Sequence, residues 1–158
     1  MCTLLFLLIS LHSFSQELDD LKKAELLYEN GAYQDAISIL ERVLDKDQNS
    51  FEALLLRGNC FQKEEKIVAA IQSYERAESL QKESALLNAN YGAAFINLKQ
   101  MDEAKVRLKT ALKIDSDLPE AHYFMGNLDY LNFRTSAALR HYSKAIKLKP
   151  EYRDALYM

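Results

Sequence analysis

Glycine and proline are scarce in this chain, four and two of 158 residues. That is too little punctuation for a fold of many strands and tight turns. Cysteine is almost absent: there is Cys2, in a segment argued below to be removed, and Cys60. One remaining thiol cannot make an internal disulfide, so cysteine usage leaves the redox compartment open. Dense runs of Lys or Arg are missing, and the formal net charge is -3. This argues against nonspecific nucleic-acid binding, which draws its affinity from cations on phosphates. Also missing are G-x-S-x-G, the phosphate-binding loop, H-E-x-x-H and any paired Cys motif. The expectation is a protein that is not an enzyme and uses no cofactor and no metal. Apolar residues are abundant, at 49%, which excludes a disordered chain and supplies a continuous core.

What organises the chain is a repeat. Tyr91-Gly92 is followed by Phe95, Ala104, Leu108 and Ala111. Thirty-four residues earlier the same slots hold Arg57-Gly58, Phe61, Ala70, Tyr74 and Ala77. Thirty-four later they hold Met125-Gly126, Asp129, Ala138, Tyr142 and Ala145. A first copy reads Lys23-Ala24, Leu27, Ala36, Leu40 and Val43. A fixed period of this length marks stacked helix–turn–helix units.

In period and pattern the chain resembles the tetratricopeptide repeat family. The resemblance implies an all-α fold, a right-handed α-solenoid of antiparallel helix pairs. Helices are expected at Leu18 to Glu29 and Gln34 to Asp45, Phe51 to Glu64 and Val68 to Leu80, Ala85 to Leu98 and Asp102 to Ile114, and Glu120 to Leu131 and Ser136 to Leu148. The repeats are then 17–50, 51–84, 85–118 and 119–152. Gly31 suits a left-handed helix end, whereas Glu65-Lys66 stands where the family has Gly. Pro119 and Pro150 fall between repeats, where a missing N–H costs little. The small residues mark where helix axes approach most closely. Tyr74, Leu108 and Tyr142 fill the gap beside them, with Phe61 and Phe95 behind.

Both ends stand apart. Met1 to Ser15 is read as a signal peptide: an apolar run from Leu4 to Leu11, then Ser13 and Ser15 at the spacing of a signal-peptidase cut before Gln16. Export to the periplasm or envelope follows, although no Lys or Arg precedes the run. The alternative is a first helix that caps the array in a cytoplasmic protein. Residues 153–158 read as the start of a truncated fifth repeat, ending on Leu156, Tyr157 and Met158. A solenoid needs a polar terminal face, so the natural chain is expected to continue, or to self-associate through this helix.

Repeated positions build the scaffold, so specificity falls to those that vary. In the family, the first helix of each pair lines the concave face. That places Leu55, Leu56, Asn59 and Lys63, then Leu86, Asn90, Ala93 and Asn97, then Tyr123, Phe124, Asn127 and Tyr130 in the groove. The partner-binding set is Leu55, Asn59, Asn90, Ala93, Asn97, Tyr123, Phe124, Asn127 and Tyr130. Amides suit an extended peptide backbone and aromatics supply anchoring area. The family's carboxylate clamp needs cations, yet its slots read Leu55 and Asn59, Asn90, Glu120 and Phe124. In the other register they read Leu21 and Glu25, Leu56, Leu86 and Asn90, so a carboxylate-clamp co-chaperone is not expected.

Four further residues invite chemistry. Asp129 replaces the expected aromatic and is read as solvated or locally bonded, with Tyr130 taking over the packing by a small helix rotation. His122 and His141, nineteen residues apart, are read as core or surface residues rather than metal ligands. Cys60 is read as a small packing residue.

The leading expectation is an exported scaffold that binds a peptide or partner protein in the cell envelope. The rivals are an N-terminal adaptor of a longer envelope protein and an enzyme or sensor whose working domain lies beyond residue 158. The register itself is testable. Ala104→Arg is expected to cost several kcal/mol, as overpacking plus a buried charge, read from the urea midpoint. An unchanged midpoint would refute the register.

Overall fold

The left-handed turns set the period in space. The structure, a computed structural model, describes residues 18–152. Among them run eight helices: α1 (18–29), α2 (Tyr33–Lys46), α3 (Phe51–Lys63), α4 (Ile67–Leu80), α5 (Ala85–Asn97), α6 (Met101–Ile114), α7 (Pro119–Leu131) and α8 (Thr135–Leu148). The expected signal peptide at Met1 to Ser15 and the fifth-repeat start at 153–158 lie outside the described residues.

Each odd-numbered helix ends in the same way. Gly31, Glu65, Lys99 and Phe133 have φ of 78°, 58°, 61° and 60°. At every one, the residue's N–H bonds the carbonyl three back and the next N–H bonds the carbonyl five back. The pairs are Gly31 to Tyr28 and Ala32 to Leu27, Glu65 to Gln62 and Lys66 to Phe61, Lys99 to Ile96 and Gln100 to Phe95, and Phe133 to Tyr130 and Arg134 to Asp129. This is a Schellman motif, which satisfies carbonyls the helix end would leave open. It uses only three residues before the next helix, so α2, α4, α6 and α8 each begin one residue earlier than expected. Only the first turn uses glycine; the other three hold an L-residue in a strained region. Pro119 is the first residue of α7, where its fixed φ fits.

The chain divides into two compact units, at Leu80 and Gln81. In the first, α3 packs on both α2 and α4. Ile37, Leu40 and Val43 of α2, Leu54 and Cys60 of α3, and Tyr74 of α4 are fully buried. In the second, α5 pairs with α6 and α7 with α8, while α5 and α6 also touch α7. One cluster joins Ala104, Leu108, Met125 and Leu128. Another joins Ala89, Ala111 and Ala121 where the two pairs meet.

The glycines lie where the paired helices are closest. A methyl group at Gly92 would sit 2.7 Å from Cγ of Leu108, and one at Gly126 would sit 2.5 Å from Cδ1 of Tyr142. At Gly58 it would meet the ring of Tyr74, 2.6 Å from Cδ1. The expected filling of that gap by Tyr74, Leu108 and Tyr142 is thus found in all three copies. Two substitutions separate the roles of contact and turn. Gly126→Ala is expected to destabilise by about 1–3 kcal/mol through overpacking. Lys99→Gly is expected to stabilise by about 1 kcal/mol by relieving the left-handed strain. Equilibrium urea unfolding of both checks the signs.

Candidate functional site

Each unit carries its own part of the expected binding face. In the first unit, Leu55 and Leu56 of α3 are half-buried and Lys63 is exposed. Asn59 is half-buried, and its Oδ1 lies 2.8 Å from the Tyr74 hydroxyl. Oε1 of Gln62 lies 2.9 Å from the same hydroxyl. One phenol proton serves one acceptor at a time, so the two amide oxygens share the Tyr74 hydroxyl.

In the second unit, Asn90 and Ala93 are buried, at 8% and 4% exposure, while Asn97 is exposed. Tyr123 is half-buried among rings, stacked on Tyr152 at 4.9 Å and near Phe124 and Tyr142 at 5.6 and 6.0 Å. Phe124 packs against both apolar clusters of this unit. Asn127 accepts a bond of 2.8 Å from the Tyr142 hydroxyl. Tyr130 is 63% exposed. Leu86 is exposed at the start of α5. Of the partner-binding set, Asn97 and Tyr130 are exposed, Asn90 and Ala93 are buried and the rest are half-buried.

The Asn–Tyr bonds have a signal in the sequence that the groove assignment passed over. Asn follows the close-contact glycine in the copies with Tyr on the paired helix, at Asn59 with Tyr74 and Asn127 with Tyr142. Where the paired residue is Leu108, the slot is Ala93. The amide supplies the partner that a buried phenol requires. Burial also pushes the Tyr142 phenol up to about 12 and raises that of Tyr74 well above its usual value.

Asp129 corrects one expectation. Tyr130 does not take over the missing aromatic's packing, being largely in solvent, and Asp129 itself is buried. Its carboxylate pairs with Arg134 at 2.9 Å and faces Nε2 of His141 at 3.7 Å. Nδ1 of His141 lies 3.1 Å from Nδ1 of His122, whose Nε2 lies 3.0 Å from the Ser116 carbonyl oxygen. The two histidines thus meet, with a carboxylate behind one of them. Desolvation lowers the His141 pKa, opposed by Asp129 and reinforced by His122 and Arg140. Among the described residues no three His, Cys, Asp or Glu side chains are placed to hold a metal ion. Cys60 is fully buried and its thiol is pushed up to about 12 by that burial, which makes it a packing residue without thiolate character.

Two family models described as Tetratricopeptide repeat match residues 21–85 and 61–128, together more than half of the chain. "Small glutamine-rich tetratricopeptide repeat-containing protein 2" of Mycosarcoma maydis is 30% identical over 106 residues, covering 67% of this chain and 30% of that one. "Probable UDP-N-acetylglucosamine--peptide N-acetylglucosaminyltransferase SPINDLY" of Solanum lycopersicum is 28% identical over 100 residues, covering 63% of this chain and 11% of that one. The chain thus spans less than a third of the curated relatives it matches. Among solved structures, MamA from Desulfovibrio magneticus RS-1 superposes with a TM-score of 0.69 at 19% identity, over 85% of this chain and 76% of that one. The pilF protein of Pseudomonas aeruginosa gives 0.72 at 21%, over 85% and 61%. These likenesses show the all-α solenoid fold.

If the Asn–Tyr bond is structural, Asn127→Ala costs about 1 kcal/mol in the native background and close to nothing once Tyr142 is Phe. A double-mutant cycle by urea unfolding reads that coupling. An Asn that serves only a partner would leave stability untouched.

Proposed function

The chain belongs to the tetratricopeptide repeat family, and on that premise we propose that it is a non-catalytic scaffold that captures a peptide or partner protein on the odd-numbered helices. That the protein is a protein-interaction scaffold follows from the family. The face, the peptide and the envelope are this reading's own additions. The observation that supports the face is the exposure of Tyr130 and Asn97 at non-repeated positions of α7 and α5. Neither is required by the repeat contacts, and Tyr at an exposed position is well suited to anchor a partner.

The length of the relatives favours a second role for the same face. A chain spanning under a third of them suits an adaptor segment, with the working domain carried elsewhere on a longer protein. Export rests on the N-terminal pattern of Leu4 to Ser15, and it places the partner in the envelope. Self-association through the C-terminal segment 153–158 belongs to the same proposal.

A photo-crosslinking side chain at position 97 or 130 is expected to capture a partner in the native host, and one at Val106 of α6, equally exposed, is not. Asn97→Ala with Tyr130→Ala is expected to weaken that partner at least tenfold, on the order of a hot-spot loss, with stability within about 0.5 kcal/mol of the parent. Capture unaffected by the double substitution would refute the face. The intact mass of the native protein tests the rest: a start at Gln16 supports export, a retained Met1 refutes it, and a much larger mass supports the adaptor.

A further inference from the structure

With a hydrogen on each Nε2, the contact between His122 and His141 would be short of a proton. His122 sends Nε2 toward the Ser116 carbonyl at 3.0 Å, and a carbonyl oxygen only accepts, so that nitrogen carries its hydrogen. His141 sends Nε2 toward the carboxylate of Asp129 at 3.7 Å, which favours a hydrogen there too. Two neutral rings would then bring two bare Nδ1 lone pairs together at 3.1 Å. The ring centroids are 5.4 Å apart, which exceeds the nitrogen separation by about two ring radii. The two Nδ1 atoms therefore lie close to the line between ring centres, and the lone pairs meet head-on.

That geometry discriminates between cations. A transition-metal ion bonds imidazole nitrogen at about 2.0–2.1 Å, so one bound to both would lie about 1.3 Å off the line, away from both lone-pair axes. A proton lies on the line. The corresponding slots of α5 and α6, thirty-four residues earlier, hold Asn88 and Arg107, where Arg107 donates to Oδ1 of Asn88 at 3.4 Å. There a donor faces an acceptor. Between α7 and α8 the same slot pair has two acceptors.

We infer that His122 and His141 hold one shared proton, Nδ1–H···Nδ1, as a hydrogen-bonded imidazole–imidazolium pair that ties α7 to α8 and responds to pH. The proton comes from solvent, and the pair carries a single positive charge. The charged groups around it set the limits. Asp129 favours that charge, though its carboxylate is shared with Arg134. Desolvation is the largest influence on His141 and opposes charge on that ring, as do His122 and Arg140 of α8. Asp117, in the turn before α7, feels His122 but is bonded to Lys144 at 2.7 Å.

The first proton therefore completes an Nδ1–H···Nδ1 bond that two neutral, Nε2-protonated rings cannot make, and a second proton would break it. Stability from the first is fully present below the unfolded value, about 6.5, and is lost as pH rises through the folded one. Below about 6.5 the unfolded chain takes two protons and the folded pair one, so stability falls again with acid.

The test is an NMR titration of the imidazole nitrogens in the whole protein across roughly pH 4 to 9. Both rings are expected to report the same two coupled steps, one for the shared proton and a second, at lower pH, for its loss as both rings become charged. His122→Gln, with folding checked by circular dichroism, is expected to delete the upper step and leave His141 titrating once, at or below the ordinary value. Independent single steps at or below 6.5 in the parent would overturn the inference. So would a neutral His141 that keeps its hydrogen on Nδ1, because no extra proton is then required. Abolition of the upper step by equimolar Zn2+ would also overturn it, in favour of a metal site.

Discussion

The structure depends on how closely the two helices of a pair approach. At Gly58, Gly92 and Gly126 there is no room for a Cβ, because the ring of Tyr74, the branch of Leu108 and the ring of Tyr142 occupy its place. Such contact trades backbone freedom on one helix for a large buried side chain on the other. The exchange is favourable because the glycine's cost, about 1 kcal/mol, is smaller than the stabilisation from burying a Leu or Tyr side chain. With that contact fixed, the neighbouring positions follow. Ala70, Ala104 and Ala138 are buried to within 1% because they border the same crossing. Ala111 is small because it sits with Ala89 and Ala121 between pairs.

The crossing also explains the amides. A phenol driven against a glycine ends with its hydroxyl in the helix interface, where water does not reach it readily, and burial raises the cost of leaving it unbonded. Asn59 and Asn127 sit one residue past the glycine and meet it. Their placement on the surface expected to bind a partner is therefore partly a consequence of packing. The same surface keeps Asn97 and Tyr130, for which packing supplies no such reason.

Most of the scaffold was legible because it repeats. A position seen as Gly three times, each time facing a large residue sixteen further on, is explained by one contact in every copy. The helix starts were off by one in all four pairs, after Gly31 as after Glu65, Lys99 and Phe133, because the Schellman turn closes within three residues whichever residue takes the left-handed position. The backbone forms the Schellman bonds regardless, and the helix–helix contact holds the strained residue in place. The candidate site was less legible. Asn90 and Ala93 follow the spacing of an exposed face, yet burial depends on how closely neighbouring helices pack, which a family's face assignment does not contain. Likewise His122 and His141 are distant in sequence and share no motif, so only the antiparallel register of α7 and α8 brings them together.

That register also accounts for Asp129. Phe61 and Phe95 hold the slot in the two preceding copies, and both are only partly buried. An acid there is buried at 5% exposure and would be costly alone. It is accommodated because the left-handed turn places Arg134 five residues on, where its guanidinium reaches Oδ1, while the register of α8 places His141 beside Oδ2. Replacing an aromatic by an acid at one slot thus carries with it a cation at the turn and an imidazole on the paired helix. The imidazole in turn meets His122, and a polar chain runs from Arg134 to the Ser116 carbonyl. Variation in this chain is therefore found between the helices of a pair as well as on its outer face. A scaffold of identical contacts acquires one pair whose cohesion depends on ionisation, while the glycine crossing that sets its geometry is unchanged.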